Sequence, residues 1–175
     1  MIRQIISILF IVFFIFFSTQ YIVNKFRLEV FILDIKNAKI LNEVHKGLVM
    51  GMESISVIES KVGDRNFRDD LNMQYNEYGK VLDKINTQLA NSDVTPEDTN
   101  VGEKVMGWTS LQMNTIMDKS NSQISELLIR GNTMGIIEGR KLLNQNPDAS
   151  KEVKDIINEF VQLQENNIEK LKTYL

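Results

Sequence analysis

The stretch LNEVHKGLVMGMESISVIESKVGDRNFRDDLNMQYNEYGKVLDKINTQL, Leu41 to Leu89, decides the fold. Its first half places Leu41, Val44, Leu48, Met52, Ile55 and Val62 at intervals of three, four or seven, the pattern of a helix with one buried face. Its second half repeats the pattern with Phe67, Leu71, Tyr78, Leu82, Ile85 and Leu89. Between them stand Gly63, the residue type that commonly follows a helix end, and Asp64, a good N-cap. A tight hairpin of two antiparallel helices follows from that pairing.

Toward the C-terminus, NSDVTPEDTNVG (Asn91 to Gly102) is polar, aperiodic and broken by Pro96, which predicts a loop. A shorter helix is expected from about Glu103 to Met117, around Trp108. Ser120 with Gln123 three residues later is a capping-box pattern, opening a helix to about Asn144. Asn146-Pro147 resets the chain, and Pro at a first helical position starts the last helix there, burying Val153, Ile156, Ile157, Phe160, Leu163, Ile168 and Leu171. Four long helices, one tight hairpin and one long crossover predict an all-α, ferritin-like antiparallel four-helix bundle over residues 38–175. One extra short helix sits in its crossover.

Toward the N-terminus the character changes. Five of the nine Phe fall between Phe10 and Phe17, and Ile5 to Val23 carries no charge. An N-terminal hydrophobic helix is expected there, approaching the roughly 20 apolar residues of a membrane span. Residues 1–24 therefore read as a transmembrane anchor or signal-like leader, and residues 25–37 as a connector, strand-like in FRLEVFILDI or a continuation of the helix. The run ends in Ser18-Thr19-Gln20-Tyr21 without a small-x-small cleavage site, which favours a retained single-pass anchor over a cleaved signal. Lys25, Arg27, Lys36 and Lys39 follow the run while Arg3 precedes it, which leans toward a cytoplasmic bundle. A start placed too far upstream, leaving a soluble cytoplasmic bundle, is the alternative.

Composition removes whole classes of activity. The chain has 175 residues and no Cys, so disulfides, thiolate zinc sites and a catalytic cysteine are excluded. Its single His, His45, makes a multi-histidine metal site impossible. The net charge of −3 argues against nucleic acid as a partner, since phosphate binding needs a basic stripe.

The runs LNEVHKGLVMGMESI (Leu41 to Ile55), DKSNSQISELLIRGNTMGIIEGRKLLNQ (Asp118 to Gln145) and ENNIEKLKTYL (Glu165 to Leu175) resemble small, mostly uncharacterised bacterial ferritin-like proteins. The resemblance covers about residues 40–175 and leaves out the leader. It implies a fold and no particular activity.

Di-iron bundles of this architecture take a Glu from each of two helices and a Glu-x-x-His from each of the other two. Here the inward pair at that spacing is Gln164 and Asn167 on the last helix and Tyr75 and Tyr78 on the second, neutral groups that cannot offset the desolvation of a hard cation. Glu59, Glu138 and His45 are the remaining metal candidates, for di-iron or manganese; no cofactor is the expectation. Glu138 is read as part of a buried polar layer with Tyr75, Tyr78, Gln164 and Asn167, or alternatively as a ligand-contacting carboxylate with a raised pKa. His45 reads as a boundary residue.

Gly131, Gly135 and Gly139 lie four apart on one helix, each costing about 1 kcal/mol of helix propensity relative to Ala, so close helix packing is expected to compensate. Ile129, Ile136 and Leu143 form a second apolar line on the same helix. It is covered either by the Trp108 helix or by a second subunit in a homodimer. The functional expectation is a non-enzymatic, membrane-tethered helical bundle acting as a structural or protein-interaction domain for an unknown protein partner. A metal- or small-ligand-binding bundle using the inward carboxylates is the alternative.

Overall fold

The computed structural model describes residues 2–91 and 120–175, with the side chains of residues 19–90 and 120–175. The described chain is all helical: α1 (Ile2–Glu59), α2 (Arg65–Asn91), α3 (Asn121–Gln145) and α4 (Lys151–Leu171), closed by a 3-10 turn over Lys172–Tyr174. The chain divides into two compact units, Met1–Lys36 and Asn37–Leu175. The expected short helix at 103–117 and the loop from Asn91 to Gly102 lie outside the described residues.

In the second unit, four helices pack together because each carries an apolar stripe with alternating steps of three and four. On α1 the stripe is Leu41, Val44, Leu48, Ile55 and Ile58; on α2 it is Phe67, Leu71, Tyr78, Val81, Ile85 and Leu89. On α4 it is Val153, Ile157, Phe160 and Leu171, with Gln164 and Asn167 in the same row. This seven-residue repeat lets side chains of one helix seat between those of the next. Leu48, Phe67, Leu71, Ile85, Leu89, Ile124, Ile157 and Leu171 are all fully buried. Each such burial is worth about 1.5–3 kcal/mol relative to exposure.

Contacts between helices fix their directions. Asn72 Nδ2 donates to Glu59 Oε1 at 2.9 Å and the Tyr78 ring lies against Gly51, so α1 and α2 are antiparallel. Lys84 pairs with Glu159 at 2.6 Å while Lys170 pairs with Asp70 at 3.2 Å, so α2 and α4 are antiparallel. Ser125 Oγ donates to the Leu171 carbonyl at 2.5 Å and Gly135 faces Gln164, so α3 and α4 are antiparallel. By contrast, the Ser150 amide donates to Asn37 Oδ1 at 3.1 Å and Gly47 faces Phe160, so α1 and α4 run parallel. The order is up, down, down, up. The end of α2 and the start of α3 consequently lie at opposite ends of the bundle.

Helix ends follow local chemistry. Asp64 Oδ1 accepts from the Phe67 amide at 3.0 Å, which starts α2, and Arg68 Nη1 donates to the Val62 carbonyl at 2.9 Å. Ser120 caps α3 through the Gln123 amide at 3.4 Å. The start of α4 differs from expectation. Ser150 Oγ accepts from the Val153 amide at 3.2 Å, so the helix begins at Lys151 and Pro147 stays in the preceding turn. A side-chain oxygen that satisfies a free amide outweighs proline's preset φ.

At the N-terminus one alternative is decided and one expectation changes. Of the two readings of residues 26–35, strand or helix continuation, the helix is observed: they continue α1. The single-pass membrane reading, with its cytoplasmic bundle, is corrected, because among the described residues no helix is long and apolar enough to cross a membrane. Lys25, Arg27, Glu29, Asp34 and Lys36 interrupt the apolar residues there, and each charge is costly in a bilayer core. The side chains of residues 5–18, which carry most of the uncharged run, lie outside the described residues.

Candidate functional site

The middle of the bundle core is polar. Tyr78 of α2 is 3% exposed, and its hydroxyl meets three amides from two other helices. It donates toward Gln164 Oε1 at 2.9 Å and Asn132 Oδ1 at 3.1 Å and accepts from Asn167 Nδ2 at 3.1 Å. A phenol has one proton, so the two acceptors share it. Asn132 Nδ2 is itself committed to the Leu128 carbonyl at 2.8 Å, which turns its oxygen toward the phenol. Tyr78 thus ties α2, α3 and α4 into one layer.

Glycine makes the room for this layer. A Cβ at Gly51 of α1 would stand 2.6 Å from the Tyr78 ring, so the ring occupies the space a side chain would take. A Cβ at Gly135 would stand 3.0 Å from Gln164 Cδ, and one at Gly139 would collide with Val161. Close packing therefore holds at Gly135 and Gly139. Gly131 is corrected: it is exposed, and among the described residues nothing lies within 4 Å of its Cβ position.

Two expected members of the layer are elsewhere. Glu138 points outward, its side chain 65% exposed and paired with Lys141 at 2.7 Å. Tyr75 is exposed as well, and Gln74, 5% exposed, takes the core position beside it. Each miss is one residue, about 100° around a helix, since Gly139 and Gln74 face inward and their neighbours cannot. Asn132 was the member that sequence reasoning overlooked. The signal was present: it stands four after Leu128 and three before Gly135, in register with the stripe.

The metal candidates do not converge. Glu59 accepts a hydrogen bond from Asn72, and His45 sits 14 residues away along the same helix, roughly 21 Å at 1.5 Å per residue. Glu138 faces out from α3. Among the described residues no group of three His, Cys, Asp or Glu side chains could hold a metal ion. The inward donors at mid-core are a phenol and carboxamides, which do not fit a di-iron or manganese centre. Burial lowers the His45 pKa below its usual 6.5, which keeps the ring neutral near neutral pH.

Ile129, Ile136 and Leu143 are half-buried and pack against the core, and the Trp108 helix expected to cover them lies outside the described residues.

No protein-family model, curated protein or solved structure matches the chain. The chemistry of the site must be read from its residues. Burial pushes the Tyr78 phenol up to about 12, with the hydrogen bond to Asn167 opposing. At neutral pH it stays protonated, and as a donor already shared between two amide oxygens it cannot act as a general base. What the arrangement does is fix the axial register of three helices, because sliding α2 by one turn breaks all three Tyr78 bonds, and sliding α3 or α4 breaks those that helix contributes.

Proposed function

We propose that the chain is a non-enzymatic helical scaffold of ferritin-like topology, serving as a structural or protein-interaction domain. The observation that carries this reading is the mid-core layer of Tyr78, Asn132, Gln164 and Asn167, a neutral and mutually hydrogen-bonded set at the depth where ferritin-like bundles place inward carboxylates. The up-down-down-up order supports the ferritin-like assignment, since it requires one long connection between the second and third helices.

The interaction half of the reading rests on α1. Tyr21, Phe26, Leu28, Phe31 and Ile32 are each more than half exposed. These exposed apolar side chains, gathered on a short stretch of helix, are the surface proposed to meet a partner. A protein partner that buries these side chains is the occupant proposed.

Metal analysis of the purified full-length chain tests the scaffold reading. Iron or manganese well below one equivalent is expected, and a stoichiometric metal would overturn it. For the contact reading, a photo-crosslinking residue at Phe31 is expected to give a discrete protein adduct that Leu28→Asp with Ile32→Asp abolishes. An adduct unaffected by them overturns it.

A further inference from the structure

Among the described residues two side chains hold buried polar atoms without a hydrogen-bond partner, Glu53 at one carboxylate oxygen and Gln74 at both atoms of its carboxamide, and Gln74 is the one in the row of the Tyr78 layer. Gln74 sits in the α2 stripe between Leu71 and Tyr78, 5% exposed, and neither its Nε2 nor its Oε1 has a hydrogen-bond partner among the described residues. Burying a carboxamide with nothing to bond is costly, because its N–H and C=O groups give up water and gain no partner. Such a group is retained in a core only where something completes it.

Its position says what can. On a helix, residues four apart share a face with about 5–6 Å between their Cβ atoms, so Gln74 stands directly beside Tyr78. The antiparallel pairs of α2 and α4, Asp70 with Lys170 and Tyr78 with Gln164 and Asn167, bracket Gln74 at the depth of Asn167 and Leu171. The hydrogen bonds of that layer are made by neutral side chains alone. The unmet capacity is two N–H donors and one carbonyl acceptor. A molecule that both donates and accepts, and that fits between two turns of helix, is required.

We propose that the core holds a buried water site between the Gln74 carboxamide and the Tyr78 layer, the water bonding Gln74 and extending the layer to five side chains. Internal water typically makes about three hydrogen bonds to otherwise unpaired buried groups, which matches this demand. Gln74 then becomes a member of the register device rather than a defect beside it.

Water-selective nuclear Overhauser spectroscopy on the full chain tests this without mutation. Cross-peaks from the Gln74 side-chain amide protons to a long-lived water are expected, and their absence overturns the proposal. Independently, a stability cycle of Gln74→Met and Tyr78→Phe reads the coupling. A shared water predicts that the double variant's unfolding constant departs from the product of the single effects by at least about threefold. Additive effects, with Gln74→Met alone strongly stabilising as expected for a dry carboxamide, overturn it. If Tyr78→Phe does not fold, the spectroscopic result on the unmodified chain decides alone.

Discussion

The middle and one end of the same core are held by opposite means. At the middle, Tyr78 ties three helices through amides, with Gly51 giving way to its ring. At the end, Phe67 is wholly buried beside Leu71 and Leu171, and Tyr174 stacks on its ring with centroids 4.1 Å apart while donating to Asp70. Apolar packing of the second kind is non-directional, so it stabilises many registers nearly equally. Hydrogen bonding of the first kind contributes less net energy and discriminates sharply, because a slip leaves buried groups unpaired. The end supplies stability and the middle supplies uniqueness.

The largest effect should come from the apolar end. Phe67→Ala is expected to cost about 3–5 kcal/mol in denaturant unfolding, through lost burial and the cavity left against Tyr174. A loss below that of any substitution in the polar layer would break the contrast. Tyr78→Phe should cost less, about 1–3 kcal/mol, because the ring stays packed while the Asn132, Gln164 and Asn167 amides lose their partner. The contrast sharpens if this variant also shows broadened amide resonances in α3 and α4, the sign of a less unique core.

Alkaline titration reaches both regions together. Burial raises Tyr78 to about 12, and loss of solvation with the Asp70 carboxylate raises Tyr174 to about 12, both above the ordinary 10. The folded chain thus holds these protons more tightly than the unfolded one. The stability they contribute is fully present below pH 10 and is lost as pH rises toward 12. Thermal melts across that range should fall more steeply for the native chain than for Tyr78→Phe; equal slopes would deny Tyr78 a role. The smallest effect is a gain. Gly131→Ala, in neither region and with no described residue within 4 Å of its Cβ position, is expected to raise stability by about 0.5–1 kcal/mol through helix propensity.

The sequence made the helices and most caps legible because their signals are local. Asp64 and Ser120 needed only a side-chain oxygen three residues ahead of an amide, and the stripes of α1, α2 and α4 needed only apolar spacing. The polar layer was half legible. Tyr78, Gln164 and Asn167 fall at stripe positions whatever their neighbours do, whereas Tyr75 against Gln74 and Glu138 against Gly139 are choices between adjacent residues. There the more chemically conspicuous residue was preferred, and it faced out. Gly139 faces in because Val161 and Phe160 occupy the space beside it, a fact about another helix that no local pattern carries. The membrane expectation rested on the uncharged run from Ile5 to Val23; among the described residues no helix is long and apolar enough to cross a membrane, and Lys25, Arg27, Glu29, Asp34 and Lys36 stand among the apolar residues that follow that run.

Gly51 and Tyr78 are a single volume divided between two positions. The ring sits where the Cβ of residue 51 would be, so neither position is free to vary while the other is held. Sequences descended from this one are expected to change the two in concert, a side chain appearing at 51 only where the residue at 78 has shrunk. That paired drift would be the heritable trace of one ring in one gap, readable without any structure.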